Sequence, residues 1–430
     1  MNRLLVIQAA ALGWDIVQDK NATLGGLTFH PAESVFPAVT CTAQASLRTA
    51  SPPADHGMIA NGRYFAEMGK PMFWEQSAAL VQGERIWSQA RARGKKVGMM
   101  FWQQSLGEAV DLVLSPKPVH KHGGGMIQDC YSQPFDLNAK LVKRIGRAFN
   151  LIHYWGPFAS RKSSEWIVAG LCEVMSEPAW APDILFGYIP HLDYDLQRHG
   201  PGSPQAAAAL DTLDALLEIL ARRAEAHGYD VLVVGDYAIG PVVHGAVFPN
   251  RALRETGLFE ARRIGRRTYP DFFGSAAFAV VDHEVAHVVV RDPGRQAEVQ
   301  KILQGLTGVA EVLDRSAQAV LGVDHMNGGD LLLVAEEGAW FAYPWWTDPA
   351  EEPDFSGHID IHNKPGFDPC ELFMGRFPTR VTRDTSKVRG SHGRSGPGRE
   401  IAWGTTVSFA DRPNRYIDLA ASLCDHLNRL

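Results

Sequence analysis

Four short segments hold side chains that can do chemistry. Residues 36–40 read FPAVT and end on Thr40; Thr42, Ser46, Thr49 and Ser51 follow before Pro52-Pro53 and His56-Gly57. A hydroxyl attacks at neutral pH only when a base, a metal or an oriented dipole activates it. At a helix start it meets free backbone N–H groups and the positive end of the dipole, which also suit a phosphoryl group. The same residue type serves equally as a plain N-cap, so Thr40 or Thr42 has that second reading. Residues 191–199, HLDYDLQRH, set His191, Asp193, Asp195, Gln197 and His199 in alternation. Carboxylates and imidazoles gathered on one loop suit zinc or manganese; the alternative is a hydrogen-bonded loop leading into the next helix. Asp236-Tyr237 in VVGDYAIG (233–240) and His392 in RGSHG (389–393) complete the set.

Three further segments are weaker. Residues 281–290, VDHEVAHVVV, contain His283, Glu284 and His287 in H-E-x-x-H order. That motif ligates zinc from a helix, and the valines around it predict a strand instead. In HIDIHNKPGFD (358–368), His358, Asp360 and His362 alternate before Lys364; on a strand they share one side, able to touch a metal or a phosphate, or they belong to a polar loop. The aromatics of WFAYPWW (340–346) either stack on a ring or fill a core.

To act together, these side chains need elements that bring them to one edge. Apolar runs at 3–9, 96–101, 111–114, 184–189 and 231–235 alternate with helical patterns at 74–93, 138–149, 163–176 and 204–227. This spacing predicts βαβ units around a largely parallel sheet. Such sheets bind ligands beyond the carboxyl ends of their strands, and the four segments follow predicted strands. After residue 240 the pattern shifts to short strands at 276–281, 285–290, 309–313, 330–335 and 339–343 with a helix near 294–305. The expected organisation is an α/β core over 1–243 and 377–430 with an inserted α+β subdomain over 244–376. Residues 383–400 read as a Gly/Ser/Arg loop too polar for a core, and 413–428 as a terminal helix.

Composition narrows the classes. The 430-residue chain is 45% hydrophobic with a formal charge of −6, which disfavours a nucleic-acid backbone as partner. The basic run ARRIGRR (261–267) reads as a solvated helix end. Five scattered cysteines without CxxC spacing fit a reduced, cytoplasmic setting. MNRLLVIQAAALG reads as a buried first strand rather than a signal peptide, and no apolar run approaches the roughly 18–20 residues that span a bilayer.

In order and content the segments resemble the alkaline phosphatase superfamily, in its nucleotide pyrophosphatase/phosphodiesterase branch. FPAVTCTAQASLRTASPPADHGMIANG resembles the nucleophile segment, LDYDLQRHGP an Asp-x-x-Gly-His-x-x-Gly-Pro, VVGDYAIG an Asp-His-Gly segment, and RGSHG a late Gly-Thr-His-Gly. The resemblance implies an alkaline phosphatase-like α/β fold with Thr40 as nucleophile. It further implies Asp193 and His392 at one metal, Asp236 at the other, and a small phosphate or nucleotide-like substrate. The pattern departs where Gln197 and Tyr237 replace histidines and where VIQAAALG offers no aspartate; Ala43, with Gln44 beside it, stands where an asparagine is usual. One divalent ion, zinc first, or none, is therefore expected rather than two. Asp193, Gln197, His199 and His392 are the candidate ligands, with His191, His362 and Tyr237 as substitutes. Asp236 and Tyr237 would orient Thr40, while Gln44, Arg198, His362 and Lys364 would meet the substrate. The expected activity is a phosphoryl-transfer hydrolase on a phosphodiester or nucleotide-like pyrophosphate; a biosynthetic tailoring enzyme (lyase, transferase or isomerase) or a non-catalytic binding protein is the alternative.

Overall fold

RLLVIQA forms strand β1 (Arg3–Ala9), buried at all but its first residue. A strand covered on both faces carries no polar alternation, which is why this run is apolar apart from Arg3 at its start and the buried Gln8. In the computed structural model, which describes residues 3–117, 119–122, 126–376 and 380–430, β1 lies in the middle of a nine-stranded sheet. Its other strands are β2 (Thr23–Leu24), β3 (Leu27–Ala32), β4 (Val97–Met100), β5 (Leu112–Ser115), β6 (Tyr131–Gln133), β7 (Ile184–Ile189), β8 (Tyr229–Gly235) and β13 (Ile401–Thr405). The order is β6-β5-β4-β7-β1-β8-β13-β3-β2. β5, β4, β7, β1 and β8 run parallel; the pairings at the two margins are antiparallel.

Helices α1 (Thr40–Thr49), α2 (Leu137–Ile145), α3 (Arg161–Ser176), α4 (His191–His199), α5 (Pro204–Ala226) and α6 (Tyr416–Leu427) accompany this sheet. α5 starts where expected because Ser203 accepts from the Ala206 N–H and Pro204 takes the first turn. It packs on α3 and α4, while α6 packs on α1. Between β8 and β13 a second, antiparallel sheet forms, ordered β9 (Ala277–Asp282), β10 (Val285–Val290), β12 (Leu331–Ala335), β11 (Val309–Leu313). It has its own apolar cluster, including Phe278, Val288, Leu333, Phe341 and Trp345. The WFAYPWW aromatics therefore fill a core.

The helix expected over 74–93 is replaced by a 3-10 turn (Ala78–Leu80) and a short helix (Ser88–Ala92). Trp74 (φ 59°) and Gly83 (φ 89°) take left-handed conformations that an α-helix cannot contain. HLDYDLQRH is helix α4, not a loop, and HIDIHNKPGFD is turns rather than a strand. ARRIGRR forms an exposed hairpin (Ala261–Ile264 with Arg267–Pro270) instead of a helix end. The 383–400 stretch enters the interior after all: Ser391, His392 and Arg399 are buried. Their polarity is matched, His392 Nδ1 donating to Ala38 O at 2.7 Å and Arg399 meeting Glu284 at 3.0 Å.

Arg48, fully buried at the end of α1, holds that helix to the turn after β4. Its guanidinium donates to the carbonyls of Gln103 (2.5 Å) and Gln104 (2.9 Å) and approaches Glu108 (3.7 Å). Arg48→Met orphans these acceptors, so denaturant unfolding should reveal a loss of about 3 kcal/mol. An unchanged midpoint would contradict this role.

Candidate active site

The carboxyl ends of the parallel strands converge on one cavity of about 200 Å³. β7 ends on Ile189, and Pro190 leads directly into α4, which carries Asp193 on its first turn and Gln197 one turn later. Residues four apart share a helix face, so both reach the cavity. β8 ends at Gly235, where any Cβ would strike the Leu12 carbonyl; that close approach brings the Ala11 N–H to Asp236 Oδ1 at 2.9 Å.

Thr40 is the first residue of α1. Val39 occupies the cap position in an extended conformation, so neither Thr40 nor Thr42 caps the helix. The segment before it is fastened to RGSHG: Ala38 N–H donates to Gly393 O at 2.9 Å while Ala38 O accepts from His392. Thr40 is buried on the cavity floor, its Oγ1 3.5 Å from the Tyr188 hydroxyl.

Asp193 is the electrostatic centre. Gln197 Nε2 donates to both of its oxygens (2.9 and 2.8 Å), and the Tyr237 hydroxyl donates to Oδ1 at 3.0 Å. Burial pushes its pKa up to about 6, against the pull of those two donors. Burial raises Asp236 well above the ordinary carboxylate range. Tyr237 lies flat on His392 (3.5 Å, 2°), His392 packs on His283 at a tilt (3.8 Å, 37°), and His283 stacks on Phe367 (3.5 Å, 22°). Burial holds both histidines neutral by lowering their pKa values well below the ordinary range.

Of the residues singled out from sequence, Thr40, Asp193, Gln197, Tyr237, His283, Asp360, His362 and His392 line this cavity, and Asp236 lies buried at the end of β8. The others do not reach it. Gln44 Oε1 accepts from the Gln103 N–H. Arg198 spends its guanidinium on the carbonyls of Leu372, Ala159 and Gly156. Lys364 is buried between Asp368 and Glu371, each at 2.7 Å, so its charge is already neutralised. His199 is exposed at the end of α4, because helical geometry turns it away from the 193/197 face. His191 is occupied by Ser164 and Ala209. The places of Tyr188, Asn61 and Asp282 at the site had no signal in the sequence, and His283 stood out only as part of a zinc motif. Asn61 closes the FPAVT…IANG stretch, and His283 belongs to an H-E-x-x-H that lies at a strand turn, where its histidines cannot share a helix face.

The expected divalent ion does not fit these donors. An ionised carboxylate needs hydrogen-bond donors or a cation, and at Asp193 an amide and a phenol already direct N–H and O–H at the oxygens a cation would use. Gln197 turns its Nε2 toward Asp193, His199 is remote, and the His392 ring is packed against Tyr237 and His283. Among the described residues no group of three or more His, Cys, Asp or Glu is placed to hold a metal.

Residues 21–368 match the family described as type I phosphodiesterase / nucleotide pyrophosphatase. The chain belongs to this family. Membership puts it among hydrolases of the phosphodiesterase and nucleotide pyrophosphatase type. Phosphonoacetate hydrolase from Sinorhizobium meliloti 1021 shares its fold with a TM-score of 0.63 at 17% identity, over 99% of this chain and 96% of that one. Murine ectonucleotide pyrophosphatase / phosphodiesterase 5 gives 0.61 at 14% over 99% and 95%, and the human protein 0.60 at 13% over 99% and 95%. The fold is alkaline phosphatase-like. No curated protein matches the chain.

The raised Asp193 carboxyl makes a pH-dependent contribution to stability. Its folded value of about 6 exceeds the unfolded 3.8, so the contribution is complete below 3.8 and lost as pH rises through about 6. At about 1.4 kcal/mol per pKa unit the loss is about 3 kcal/mol. Asp193→Asn cannot ionise, so its stability relative to wild type should improve by that order between pH 4 and 7.5 in urea unfolding. A difference independent of pH would contradict the burial of this charge.

Proposed function

We propose that the protein is a phosphoryl-transfer hydrolase acting on a phosphodiester or a nucleotide-like pyrophosphate, with Thr40 as the attacking group and without a two-zinc centre. One observation carries this reading: the Thr40 hydroxyl is buried at the start of α1, on the floor of a cavity with aromatic walls. The helix start favours an anion, and Trp74, Tyr154, Trp155, Tyr194 and Phe367 on the lining offer faces on which a base or ring could stack. The 244–376 segment, proposed as a subdomain inserted into a 1–243 and 377–430 core, contributes His283, Asp360, His362 and Phe367 to that wall and would recognise the substrate. The solved relatives hold small phosphorus-containing anions, phosphonoformate in the bacterial hydrolase and AMP in an inactive murine variant.

In this reading Thr40 Oγ1 attacks phosphorus, the ester oxygen leaves, and water releases the phosphoryl group from Thr40. Tyr188 and Tyr237 position the hydroxyl and the Asp193 carboxylate; His362 and Asp360 face the distal part of the ligand. All five cysteines are unpaired, which supports a cytoplasmic setting, and no helix among the described residues is long and apolar enough to cross a membrane. A second reading, a tailoring enzyme or binding protein, is favoured by the lining itself. Its carboxylate Asp193 faces Gln197 and Tyr237, while Arg198 and Lys364 are turned away.

Release of p-nitrophenol from bis-p-nitrophenyl phosphate and from a nucleoside 5′-p-nitrophenyl ester tests the choice. Wild type should turn over at least one, and Thr40→Ala should lower kcat by about 10³-fold or more. Full activity in Thr40→Ala would refute the nucleophile; a wild type inert toward both favours the second reading.

A further inference from the structure

Of the histidines packed inside the molecule, several are fully occupied at both ring nitrogens. His287 accepts from the Gly329 N–H and donates to Ile59 O; His56 accepts from Met58 N–H and pairs with Ser46. His283 differs. Its Nδ1 lies 2.6 Å from Asp282 Oδ1, and the ring lines the same cavity as Thr40. A carboxylate partner at Nδ1 assigns the proton to that nitrogen and leaves Nε2 as the ring's acceptor.

The arrangement is built with some effort. His283 sits in the turn between β9 and β10 at φ 59°, a left-handed conformation that strains a non-glycine residue. Its carbonyl accepts from the Phe341 N–H at 2.7 Å, and Glu284 N–H donates to His392 O at 2.9 Å. Phe367 and His392 clamp the two faces of the ring. Asp282 is fixed in turn by Asn61, whose backbone N–H reaches Oδ2 (2.7 Å) and whose Nδ2 reaches Oδ1 (3.2 Å). Asn61 Oδ1 accepts from the N–H of Cys41, the residue next to Thr40. One asparagine thus ties the carboxylate behind His283 to the start of α1.

We infer that Asp282 and His283 form a general-base dyad for the Thr40 hydroxyl, supplying the activation that the Asp193 environment does not obtain from a cation. This rests on Thr40 being the nucleophile. His283 Nε2 takes the Thr40 proton, directly or across one water, as the Oγ1–P bond forms; the P–O bond to the leaving group breaks, and the leaving oxygen takes the proton back from His283. Asp282 is the positioning residue that holds the ring and its tautomer, as the carboxylate does in a hydroxyl–imidazole–carboxylate triad.

A fluorophosphonate ester probes this without knowledge of the substrate, because attack by an activated hydroxyl forms O–P and expels fluoride. Full-length wild type, treated with EDTA, should be labelled at Thr40 by peptide mass spectrometry. His283→Gln should be labelled at least about 100-fold more slowly, and Asp282→Asn should be slowed as well, with wild-type thermal melts marking both as folded. Should either variant unfold, diethyl pyrocarbonate on wild type replaces it: labelling should fall in step with carbethoxylation of His283. Labelling of Thr40 at the wild-type rate in folded His283→Gln, or after complete His283 carbethoxylation, overturns the dyad and leaves Thr40 as nucleophile. Labelling abolished by EDTA also overturns it, and a wild type never labelled at Thr40 overturns both.

Discussion

An ionised carboxylate buried in a cavity must be met by something, and at Asp193 it is met by the Gln197 amide and the Tyr237 phenol. Everything around the cavity follows from that choice of partners. The donors hold Asp193 in place but bring no net positive charge, so the carboxyl stays above its ordinary range under the weight of burial. Tyr237 occupies the space over His392 and stacks flat upon it. The rings continue through His283 to Phe367, which makes the floor a packed aromatic column instead of an open ligand set.

The scaffold supplies the precision that such a floor needs. β7 and β8 flank β1 in parallel register, so their carboxyl ends deliver Asp193 and Asp236 side by side. α1 is pinned at its start through Ala38 to His392 and Gly393, and at its end through Arg48 to the turn after β4. The second sheet then brings Asp282 and His283 to the same place from a segment distant in sequence. Rigid elements fix a site better than loops do, and here the residues that face the cavity are held by backbone contacts on several sides.

The strands were legible because burial on both faces leaves a mostly apolar run without polar alternation: 184–189 is apolar throughout, and 3–9 and 285–290 are broken only by Arg3, Gln8 and His287. The 74–93 stretch misled because its composition is helical while its backbone turns at Trp74 and Gly83. At the site, residue type located Thr40, Asp193, Gln197 and His392 on the cavity. It could not foretell that Arg198 and Lys364 would be consumed by carbonyls and carboxylates, since long-range pairing has no local signal. Reading 191–199 as alternating side chains placed His199 with Asp193; the helical period separates them. The place of His283 on the cavity had no local signal for the converse reason, because it depends on a left-handed turn and on an Asp282 held by Asn61, far along the chain.

The central claim is that side-chain donors, and no cation, satisfy Asp193. Calorimetric titration of the full-length, EDTA-treated protein with zinc and manganese chloride tests it directly. No stoichiometric binding that depends on Asp193 is expected. Tight uptake of one or two ions per chain, abolished by Asp193→Asn, would contradict it.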